Sequence, residues 1–572
     1  MDYMKVYKEW LNSPYIDEDT KKELLSIKDN EKEIMERFYK ELEFGTAGLR
    51  GVLGAGTNRM NIYTVGKATQ GLADFIVSKG EEYMKRGVVI AYDVRHNSNL
   101  FAKTAALILA ANGIKAYLFD HIAPTPLLSF SVRRLHTAAG IVVTASHNPK
   151  NYNGYKVYWE QGSQILDDVA IPIMENIKKL TDFSMIKKIS EKEALEKGLL
   201  EYVGKEIEDE YIEKVKSLAI REEDIDKEVK IVYTPLNGTG NKPVRRVLAE
   251  RGFKNIFVVP EQENPDPDFT TVGYPNPEDI KAFEYSKKLA KEKDADVIIA
   301  TDPDCDRTAV MVKHNGEYIP LNGNQTGAIL IKYIIEGRKE KGTLSDKGMI
   351  IKSIVTGDLG KELAKKYGVV TFETLTGFKN ICGLENELEG KYDFEFGYEE
   401  SIGYVTGTFV RDKDGVISSM FVSEATAYYK KQGKTLIDVL YDLYNEIGYY
   451  FENNFSIIIE GLEGMAKMKK IMEVYRKDFP TKIGNMKLVR YIDYLEKKDY
   501  DLISGETKET DVPKSNVLRF FFDDGSWYAV RPSGTEPKLK IYIYSKDNEE
   551  EKSKEKLALM KEKIMEIINS VD

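Results

Sequence analysis

Three times along the chain, short segments of almost continuous apolar residues alternate with stretches of helical spacing, and this alternation restricts the possible folds more than any other feature. Such segments are typical of strands buried on both faces, and strands that alternate with helices indicate a parallel or mixed sheet. We therefore predict an α/β chain with three successive, similar mixed-sheet domains, although no repeat is visible residue by residue. The first set is VVIAYD (88–93), KAYLFD (115–120) and GIVVTAS (140–146); the second is VKIVYT, NIFVVP and ADVIIATD; the third is MIIKSIV, VVTFETL and YDFEFGYEES.

The two ends of the chain have different patterns. The first forty-odd residues are rich in Lys and Glu and carry apolar residues at helical spacing, which predicts a helical extension. After about residue 440, four apolar segments and a long final helix indicate an α+β domain around an antiparallel sheet. We predict a charged helical stretch at 180–229 and a surface loop at 496–516. The predicted domains are 1–43, 44–205, 206–322, 323–440 and 441–572.

The composition argues against several classes of partner. A chain of 572 residues exceeds the usual size of one hydrophobic core, which agrees with several domains. The net charge of −10 disfavours nucleic acid, because that binding depends on Lys and Arg that neutralise phosphates. The two cysteines, Cys305 and Cys382, form no zinc motif, and two cysteines do not indicate a disulfide framework. We therefore expect the protein to occur in a reducing compartment. With a charged N-terminus and no long apolar run, we expect no membrane association and a cytoplasmic location. The oligomeric state is not predicted.

The segment TASHNPKNYNGYKVY (144–158) places a serine directly after an apolar strand. Ser146 therefore lies at the carboxyl end of a buried strand, which is where α/β proteins bind their ligands. An ordinary strand-ending turn would explain the same residues about equally well. A hydrolase site fits less well, because the G-x-S-x-G motif is absent and His147 is adjacent to the serine in sequence.

The segment ATDPDCDRTAV (300–310) carries three aspartates at a spacing of two residues. In an extended loop Asp302, Asp304 and Asp306 can converge on one point, and three carboxylates suit Mg²⁺. An EF-hand is excluded, because its sixth and twelfth positions require Gly and Glu, and this chain has Arg307 and Lys313 there. A solvated acidic turn is less convincing, since three like charges repel each other unless a cation offsets them. The spacing predicts a metal site.

Three other segments carry groups that could bind a phosphorylated sugar. RPSGTEPKLKIY (531–542) combines one guanidinium, two hydroxyls and a Ser-Gly-Thr turn, which together can bind an anion, although a plain hairpin turn would also explain them. FGYEESIGY (396–404) offers acidic groups to sugar hydroxyls, and the Gly-rich FGTAGLRG (44–51) presents Arg50. Dinucleotide, Walker A and kinase signatures are missing, so nucleoside triphosphates are not expected as substrates.

In their order along the chain, the five segments resemble those of the α-D-phosphohexomutase superfamily, which contains the phosphoglucomutases and phosphomannomutases. The resemblance extends from about Phe44 to Tyr542. The helical extension and the NGYKVYWEQGSQI continuation are most similar to the longer phosphoglucomutase/phosphopentomutase branch. The resemblance implies four domains around a central cleft. Residues 44–205 would form the phosphoserine domain, 206–322 the metal-binding domain, 323–440 the sugar-binding domain and 441–572 the C-terminal phosphate-binding domain.

The resemblance also implies roles for individual residues. Ser146 corresponds to the family's phosphoserine. Asp302, Asp304 and Asp306 correspond to its Mg²⁺ ligands, and an oxygen of the phosphorylated Ser146 is a further ligand. The segment TLTGFKN, residues 374–380, resembles the family's third-domain specificity loop, and Lys352 is a weaker candidate nearby. Some relatives carry a histidine where this chain has Gly403-Tyr404, so a role for that histidine is not carried over. The remaining implied residues are Arg50, His147, Lys156 and Arg307 around the transferred phosphoryl group, and Thr376, Gly377, Lys379, Glu399, Ser401, Arg531, Ser533, Gly534 and Thr535 as substrate-binding residues.

The implied activity is that of an isomerase of the α-phosphoglucomutase type. It would interconvert sugar 1-phosphate and sugar 6-phosphate through a phosphoserine and a bisphosphate intermediate, with a sugar 1,6-bisphosphate as activator. Lys156 is the first choice as general base and His147 the second. Phosphopentomutase and phosphomannomutase are alternatives within the family. A metal-dependent phosphatase and a non-catalytic sugar-phosphate binding protein are alternatives from other classes.

Overall fold

A computed structural model of the chain describes residues 2–459, 464–533 and 538–571. The first three helices begin after Asp2, Asp17 and Asn30, whose side chains accept hydrogen bonds from the backbone of the first turn. Their apolar residues, including Trp10 and Phe38, form a small core with Tyr63. These helices are α1 (Tyr3–Asn12), α2 (Glu18–Ser26) and α3 (Glu31–Phe38).

The first sheet is mixed, with the strand order β1-β5-β4-β2-β3-β6. Strands β2, β3, β4 and β6 are parallel, whereas β5 runs antiparallel to both β4 and β1. Gly154 on β5 is required by a close approach, since a Cβ there would lie 2.5 Å from the Thr144 carbonyl oxygen. The elements are β1 (Leu49–Val52), α4 (Ile62–Ser78), α5 (Glu81–Arg86), β2 (Val88–Tyr92), α6 (Ser98–Ala111), β3 (Ala116–Phe119), α7 (Thr125–Leu135), β4 (Ala139–Val143), β5 (Tyr152–Trp159), α8 (Asp167–Lys179), α9 (Glu191–Glu196) and β6 (Leu200–Val203).

The second sheet is also mixed, with the order β11-β10-β9-β7-β8. Strands β7, β8 and β9 are parallel, and β10 returns antiparallel to β9, so the loop between β9 and β10 lies at the carboxyl end of a buried strand. The elements are α10 (Lys205–Ser217), β7 (Lys230–Thr234), α11 (Asn241–Glu250), β8 (Asn255–Val258), α12 (Pro260–Glu263), α13 (Glu284–Lys293), β9 (Val297–Thr301), β10 (Thr308–His314) and β11 (Glu317–Leu321).

The third sheet has the order β13-β12-β14-β15, and β12 runs parallel to both β13 and β14. Helix α17 begins after Asp414, whose carboxylate accepts from the N–H groups of Val416 and Ile417, each at 2.8 Å. It packs against α11 and β9 of the second set. The elements are α14 (Gly323–Glu340), β12 (Gly348–Ser353), α15 (Leu359–Lys366), β13 (Val370–Thr374), α16 (Phe378–Leu388), β14 (Asp393–Glu399), β15 (Gly403–Val405), α17 (Gly415–Lys431) and α18 (Leu436–Ile447).

The C-terminal region is an α+β domain with an antiparallel sheet in the order β16-β23-β22-β21-β18-β19-β20. Helices α19 and α20 contribute Met472 and Ile564 to a core on this sheet. The elements are β16 (Tyr449–Ile458), α19 (Gly464–Lys477), β17 (Lys482–Ile483), β18 (Met486–Asp493), β19 (Lys498–Asp501), β20 (Thr507–Glu509), β21 (Leu518–Phe522), β22 (Trp527–Pro532), β23 (Lys538–Asp547) and α20 (Glu550–Asn569).

The prediction of three similar α/β domains and a C-terminal α+β domain is confirmed, whereas two local predictions are wrong. The stretch 180–229 includes strand β6, which pairs with β3, and the loop at 496–516 includes β19 and β20. That the four domains surround a cleft stays a prediction. Among the described residues, no helix combines the length and the apolar character that crossing a bilayer requires.

By its internal contacts the chain divides into two compact units. Unit 1 comprises Met1–Gly323, Cys382–Glu389 and Ser401–Gly433. Unit 2 comprises Asn324–Ile381, Gly390–Glu400 and Lys434–Asp572. The first two sheets, Ser146 and the three aspartates therefore all belong to unit 1.

Candidate active site

Ser146 lies three residues after the end of β4, and its hydroxyl contacts the aspartate loop. Its side-chain Oγ donates to Asp302 Oδ2 at 2.7 Å, although the two residues are far apart in sequence. The residue is 4% exposed and adopts a φ of 50°, in the left-handed region that residues other than glycine rarely occupy. The structure therefore brings together two segments that the sequence identified separately.

The three aspartates occupy the loop between β9 and β10. Asp302, Asp304 and Asp306 are buried, and each offers a carboxylate oxygen within 4.8 Å of the others. Asp302 Oδ1 accepts from the backbone N–H groups of Asp306 at 3.1 Å and Arg307 at 3.0 Å. Thr125 Oγ1 donates to Asp304 Oδ2 at 2.9 Å. The loop thus holds its carboxylates in a fixed arrangement at the end of a buried strand.

The charges within this cluster are not balanced evenly. Burial and the neighbouring charges of Asp304 and Asp306 raise the pKa of Asp302 well above its usual range. Burial also acts on Asp304, but the charge of Lys156 together with hydrogen bonds that involve Asp302, Lys156 and Thr125 outweighs it and lowers the pKa of that carboxyl. Among the described residues, Asp304 Oδ1 and Asp306 Oδ1 are buried without a hydrogen-bond partner. Unpartnered carboxylate oxygens that repel one another are what a divalent cation would satisfy, so the residues fit a metal site.

Two lysines face the aspartates, and the sequence identified only one of them. Lys156 on β5 places Nζ 3.0 Å from Asp304 Oδ2 and 3.7 Å from Asp306 Oδ2. Lys413 Nζ lies 3.1 Å from Asp306 Oδ2 and 3.4 Å from Asp412 Oδ1. The signal for Lys413 was the charged RDKDG sequence (411–415), but its distance from Asp306 along the chain gave no reason to connect the two.

His147 and the two predicted arginines lie around the same loop. His147 Nδ1 is 3.3 Å from Ser146 Oγ. Burial, with the charges of Arg307 and Arg50, lowers the pKa of His147 to about 2, so its imidazole is neutral at neutral pH. Arg50 Nη1 donates to Asn148 Oδ1 at 3.2 Å, and Arg307 Nη1 lies 3.5 Å from Glu278 Oε2. The predicted phosphoryl-contacting residues thus belong to one neighbourhood of unit 1.

The predicted sugar-contacting loops belong mainly to unit 2. Glu399 Oε1 accepts from the N–H of Gly377 at 2.7 Å, which joins the end of β14 to the loop before α16. Gly377 has a φ of 103°, a conformation that favours glycine. Thr376 precedes it in the loop and Lys379 lies in the first turn of α16; both are partly exposed, as is Ser401 beyond β14.

Lys352 is not available to a substrate. The residue is fully buried, and its Nζ donates to the Thr356 carbonyl at 2.7 Å. The same nitrogen lies 3.0 Å from a carboxylate oxygen of Asp358 and 3.0 Å from one of Glu373. Its weaker candidacy is therefore corrected: the lysine belongs to a buried ion-pair network.

The predicted phosphate-binding turn is described only in part. Arg531 lies on β22 opposite Lys540 of β23, and Ser533 follows the end of that strand. The Ser533 N–H donates to the Lys538 carbonyl at 2.7 Å. Gly534 and Thr535 lie outside the described residues. Their role in binding a phosphate stays a prediction.

Four family models of the phosphoglucomutase/phosphomannomutase family match consecutive parts of the chain. The α/β/α domains I, II and III match residues 41–183, 209–316 and 322–447, and the C-terminal domain matches residues 465–565. The chain belongs to this family. The membership makes it an enzyme of the isomerase class, a phosphohexomutase, in the phosphoglucomutase branch that the sequence analysis favoured.

Curated relatives agree with this assignment, and solved structures have the same fold. The chain is 38% identical to the phosphoglucomutase of Staphylococcus haemolyticus over 508 residues, which is 88% of this chain and 90% of that protein. It is 38% identical to that of a Staphylococcus epidermidis strain over 531 residues, which is 92% and 95% of the two chains. A putative phosphomannomutase from Thermus thermophilus has the same fold, with a TM-score of 0.68, 20% identity and coverage of 93% and 100%. The open form of the Paramecium phosphoglucomutase pp63/parafusin matches with a TM-score of 0.68, 17% identity and coverage of 93% and 95%.

Proposed function

We propose that this chain is an α-phosphoglucomutase that interconverts glucose 1-phosphate and glucose 6-phosphate and carries the phosphoryl group on Ser146. The observation that carries the proposal is the 2.7 Å hydrogen bond from Ser146 Oγ to Asp302, within the buried group of three aspartates. We propose glucose, and not mannose or a pentose, as the sugar because the staphylococcal relatives at 38% identity are named phosphoglucomutases. Two buried free thiols, Cys305 and Cys382, support the predicted cytoplasmic location.

The proposed cofactor is Mg²⁺. Asp302, Asp304 and Asp306 would hold it together with an oxygen of phosphorylated Ser146, because hard oxygen ligands suit this cation. When bound, the cation would supply positive charge that offsets the carboxylates and stabilises the charge on the transferred phosphoryl oxygens. A sugar 1,6-bisphosphate would serve as primer, since the serine must be phosphorylated before the first turnover.

The chain's own residues would align the reactants for two phosphoryl transfers. Phosphorylated Ser146 would donate its phosphoryl group to the free hydroxyl of the sugar monophosphate, which gives a sugar bisphosphate. The other phosphoryl group of this bisphosphate would then be transferred to the serine. In such a transfer the protein contributes mainly alignment and positive charge, which Arg50 and Arg307 would provide. Glu399 with the loop around Gly377 would accept hydrogen bonds from sugar hydroxyls, and Arg531 would bind the phosphate that is not transferred.

The proton of the attacking sugar hydroxyl needs an acceptor, and Lys156 and His147 remain the two candidates. Lys156 Nζ forms an ion pair with Asp304 Oδ2 at 3.0 Å, which places it beside the aspartate loop. His147 is already neutral, but its low pKa makes it a weak base. Both residues stay candidates, with Lys156 first because its Nζ lies among the aspartates beside Ser146, and His147 second.

The direct test is the transfer of phosphate to Ser146. Full-length wild type and Ser146→Ala are incubated with Mg²⁺ and labelled glucose 1,6-bisphosphate, and bound phosphate is located by mass spectrometry. We expect one phosphate on Ser146 in the wild type, and neither label nor turnover of glucose 1-phosphate in Ser146→Ala. Ser419→Ala is the matched control, because Ser419 is a buried serine in α17 whose hydroxyl has no hydrogen-bond partner among the described residues.

Wild-type turnover by Ser146→Ala would refute the carrier role. Product analysis separates the mutase from a phosphatase, because a phosphatase would release inorganic phosphate instead of glucose 6-phosphate. Relative turnover of mannose 1-phosphate and ribose 1-phosphate tests the choice of sugar. A preference for either one over glucose 1-phosphate would replace glucose in the proposal and leave the role of Ser146 unchanged.

A further inference from the structure

One buried arginine binds four backbone carbonyl groups of the loop that carries Ser146. The side chain of Arg95 is completely buried. Its Nη2 donates to the carbonyl oxygens of Ser146 and Asn148, each at 2.5 Å. Its Nη1 donates to the carbonyl oxygens of Pro149 at 2.9 Å and Tyr152 at 3.2 Å. A single planar guanidinium therefore spans the whole loop between β4 and β5.

The partner of Arg95 fixes the other side of the same peptide. Asp93 Oδ2 lies 3.3 Å from Arg95 Nε and accepts from Thr144 Oγ1 at 2.6 Å. Thr144 Oγ1 in turn accepts from the N–H of Ser146 at 2.9 Å. Asp93 Oδ1 accepts from the N–H of Arg95 at 2.9 Å and from Ser98 Oγ at 2.7 Å. Both backbone polar groups of Ser146 are thus connected to one buried ion pair.

The conformation of Ser146 explains why the loop needs this support. A φ of 50° is unfavourable for a residue with a Cβ, so it persists only where surrounding contacts determine it. The same backbone sets the direction of Oγ toward Asp302. The ring of Phe269 lies 5.0 Å from the guanidinium carbon of Arg95 and covers it from the second α/β set. Solvent therefore does not compete for the carbonyl hydrogen bonds.

We propose that Arg95, paired with Asp93, is a positioning residue that sets the direction of Ser146 Oγ for phosphoryl transfer. This inference rests on the proposed role of Ser146 as the phosphoryl carrier. Arg95 does not touch the reacting atoms, and it acts only through the peptide of Ser146. Alignment is the main contribution of the protein to this kind of transfer, so loosening the loop should reduce kcat much more than substrate binding.

The test compares Arg95→Lys with the wild type in the full-length enzyme with Mg²⁺. Lysine retains the charge beside Asp93 but has one compact ammonium, which cannot span carbonyl groups from Ser146 to Tyr152. We expect kcat for glucose 1-phosphate to fall about a hundredfold, the loss that a displacement of about 1 Å produces. KM should stay within about twofold, because the groups that bind the sugar phosphate are unchanged. The rate of Ser146 phosphorylation by glucose 1,6-bisphosphate should fall in parallel with kcat.

Arg251→Met is the matched control. Arg251 is another buried arginine of unit 1, which pairs with Glu424 and donates to the Arg221 carbonyl at 2.7 Å. Its loss should lower the melting temperature but leave kcat unchanged. If Arg95→Lys loses stability like the control but keeps wild-type kcat, Arg95 has only a structural role and the inference is overturned.

A second variant covers the case in which Arg95→Lys does not fold. Thr144→Val keeps the shape of the side chain but removes the hydroxyl between the Ser146 N–H and Asp93. We expect kcat to fall with KM unchanged, and an unchanged kcat would overturn the inference. The two proposals are distinguishable, because a wild type that takes no phosphate at Ser146 refutes the carrier role itself. A phosphorylated wild type beside an equally fast Arg95→Lys refutes only the role of Arg95.

Discussion

The buried carboxylates of Asp302, Asp304 and Asp306 predict that a divalent cation stabilises unit 1 against thermal unfolding. One carboxylate oxygen of each residue lies within 4.8 Å of those of the other two. Asp304 Oδ1 and Asp306 Oδ1 have no hydrogen-bond partner among the described residues. Lys156 and Lys413 offset part of the negative charge but leave Asp302 with a raised pKa. A cation that binds this arrangement binds the native state selectively, because the unfolded chain does not hold the three carboxylates together.

The size of the effect follows from mass action. At a free Mg²⁺ concentration of about 100 times Kd, binding adds about 2.7 kcal/mol to the free energy of unfolding. Unit 1 comprises roughly 360 residues, and an unfolding entropy of about 2.1 cal/mol/K per residue gives about 0.75 kcal/mol/K. The ratio of the two values predicts that the melting temperature of unit 1 rises by about 3.5 °C.

Differential scanning calorimetry in EDTA and in saturating MgCl₂ measures this shift without depending on activity. In Asp306→Asn, which removes one carboxylate of the three, we expect most of the shift to disappear. The matched control is Glu424→Gln, a buried carboxylate that pairs with Arg251 away from the site, and it should keep the shift at a lower melting temperature. Equal melting temperatures of the wild type in EDTA and MgCl₂, or an undiminished shift in Asp306→Asn, would refute the metal site.

Two further predictions concern stability away from the site. The main cause that raises the pKa of His121 above 6.5 is its hydrogen bond to Glu208. The protonated form of His121 therefore stabilises the fold fully at low pH, and this contribution disappears as the pH rises through the raised pKa. His121→Gln should therefore lower the melting temperature at about pH 5.5 but not at about pH 9, and an equal loss at both would contradict the charge argument. Arg519, whose side chain is 1% exposed, pairs with Glu373, so Arg519→Met should destabilise unit 2 by about 3–5 kcal/mol in urea unfolding. The half-exposed Arg490 should contribute only about 0–1 kcal/mol when replaced by Met, and similar losses for both variants would count against the burial argument.

The parts of the fold and site that the sequence predicted are those written in short, local patterns. The aspartate loop follows β9 within five residues, so strand, turn and ligand spacing are all visible in one segment. Strand β6 was missed because only Leu200 of its four residues is buried, which leaves no apolar run to detect. Strand β20 was missed for a similar reason, since all three of its residues are exposed. Edge strands of this kind owe their structure to a neighbouring strand, and local sequence does not reveal that neighbour.

The residues that sequence analysis missed at the site act through long-range contacts. Lys413 reaches Asp306 only because α17, which follows it, packs against β9, and Arg95 binds the serine loop only because β2 lies next to β4. Each looks like an ordinary charged residue near the end of a strand or the start of a helix. Their function depends on which backbone or carboxylate the fold brings within hydrogen-bond distance.

Local sequence also does not distinguish the three aspartates, which have the same spacing in the chain but different surroundings in the fold. Lys156 lowers the pKa of Asp304, whereas Asp302 has burial and two neighbouring carboxylates to raise its pKa. Asp302 is also the one that accepts the Ser146 hydroxyl, so the carboxyl group whose pKa is raised lies beside the proposed phosphoryl carrier. A cation held by the three carboxylates would offset their mutual repulsion and would lie near Ser146. The uneven charge therefore links metal binding to the serine, and it depends on a lysine of β5 and a lysine before α17, both far from the aspartates in sequence.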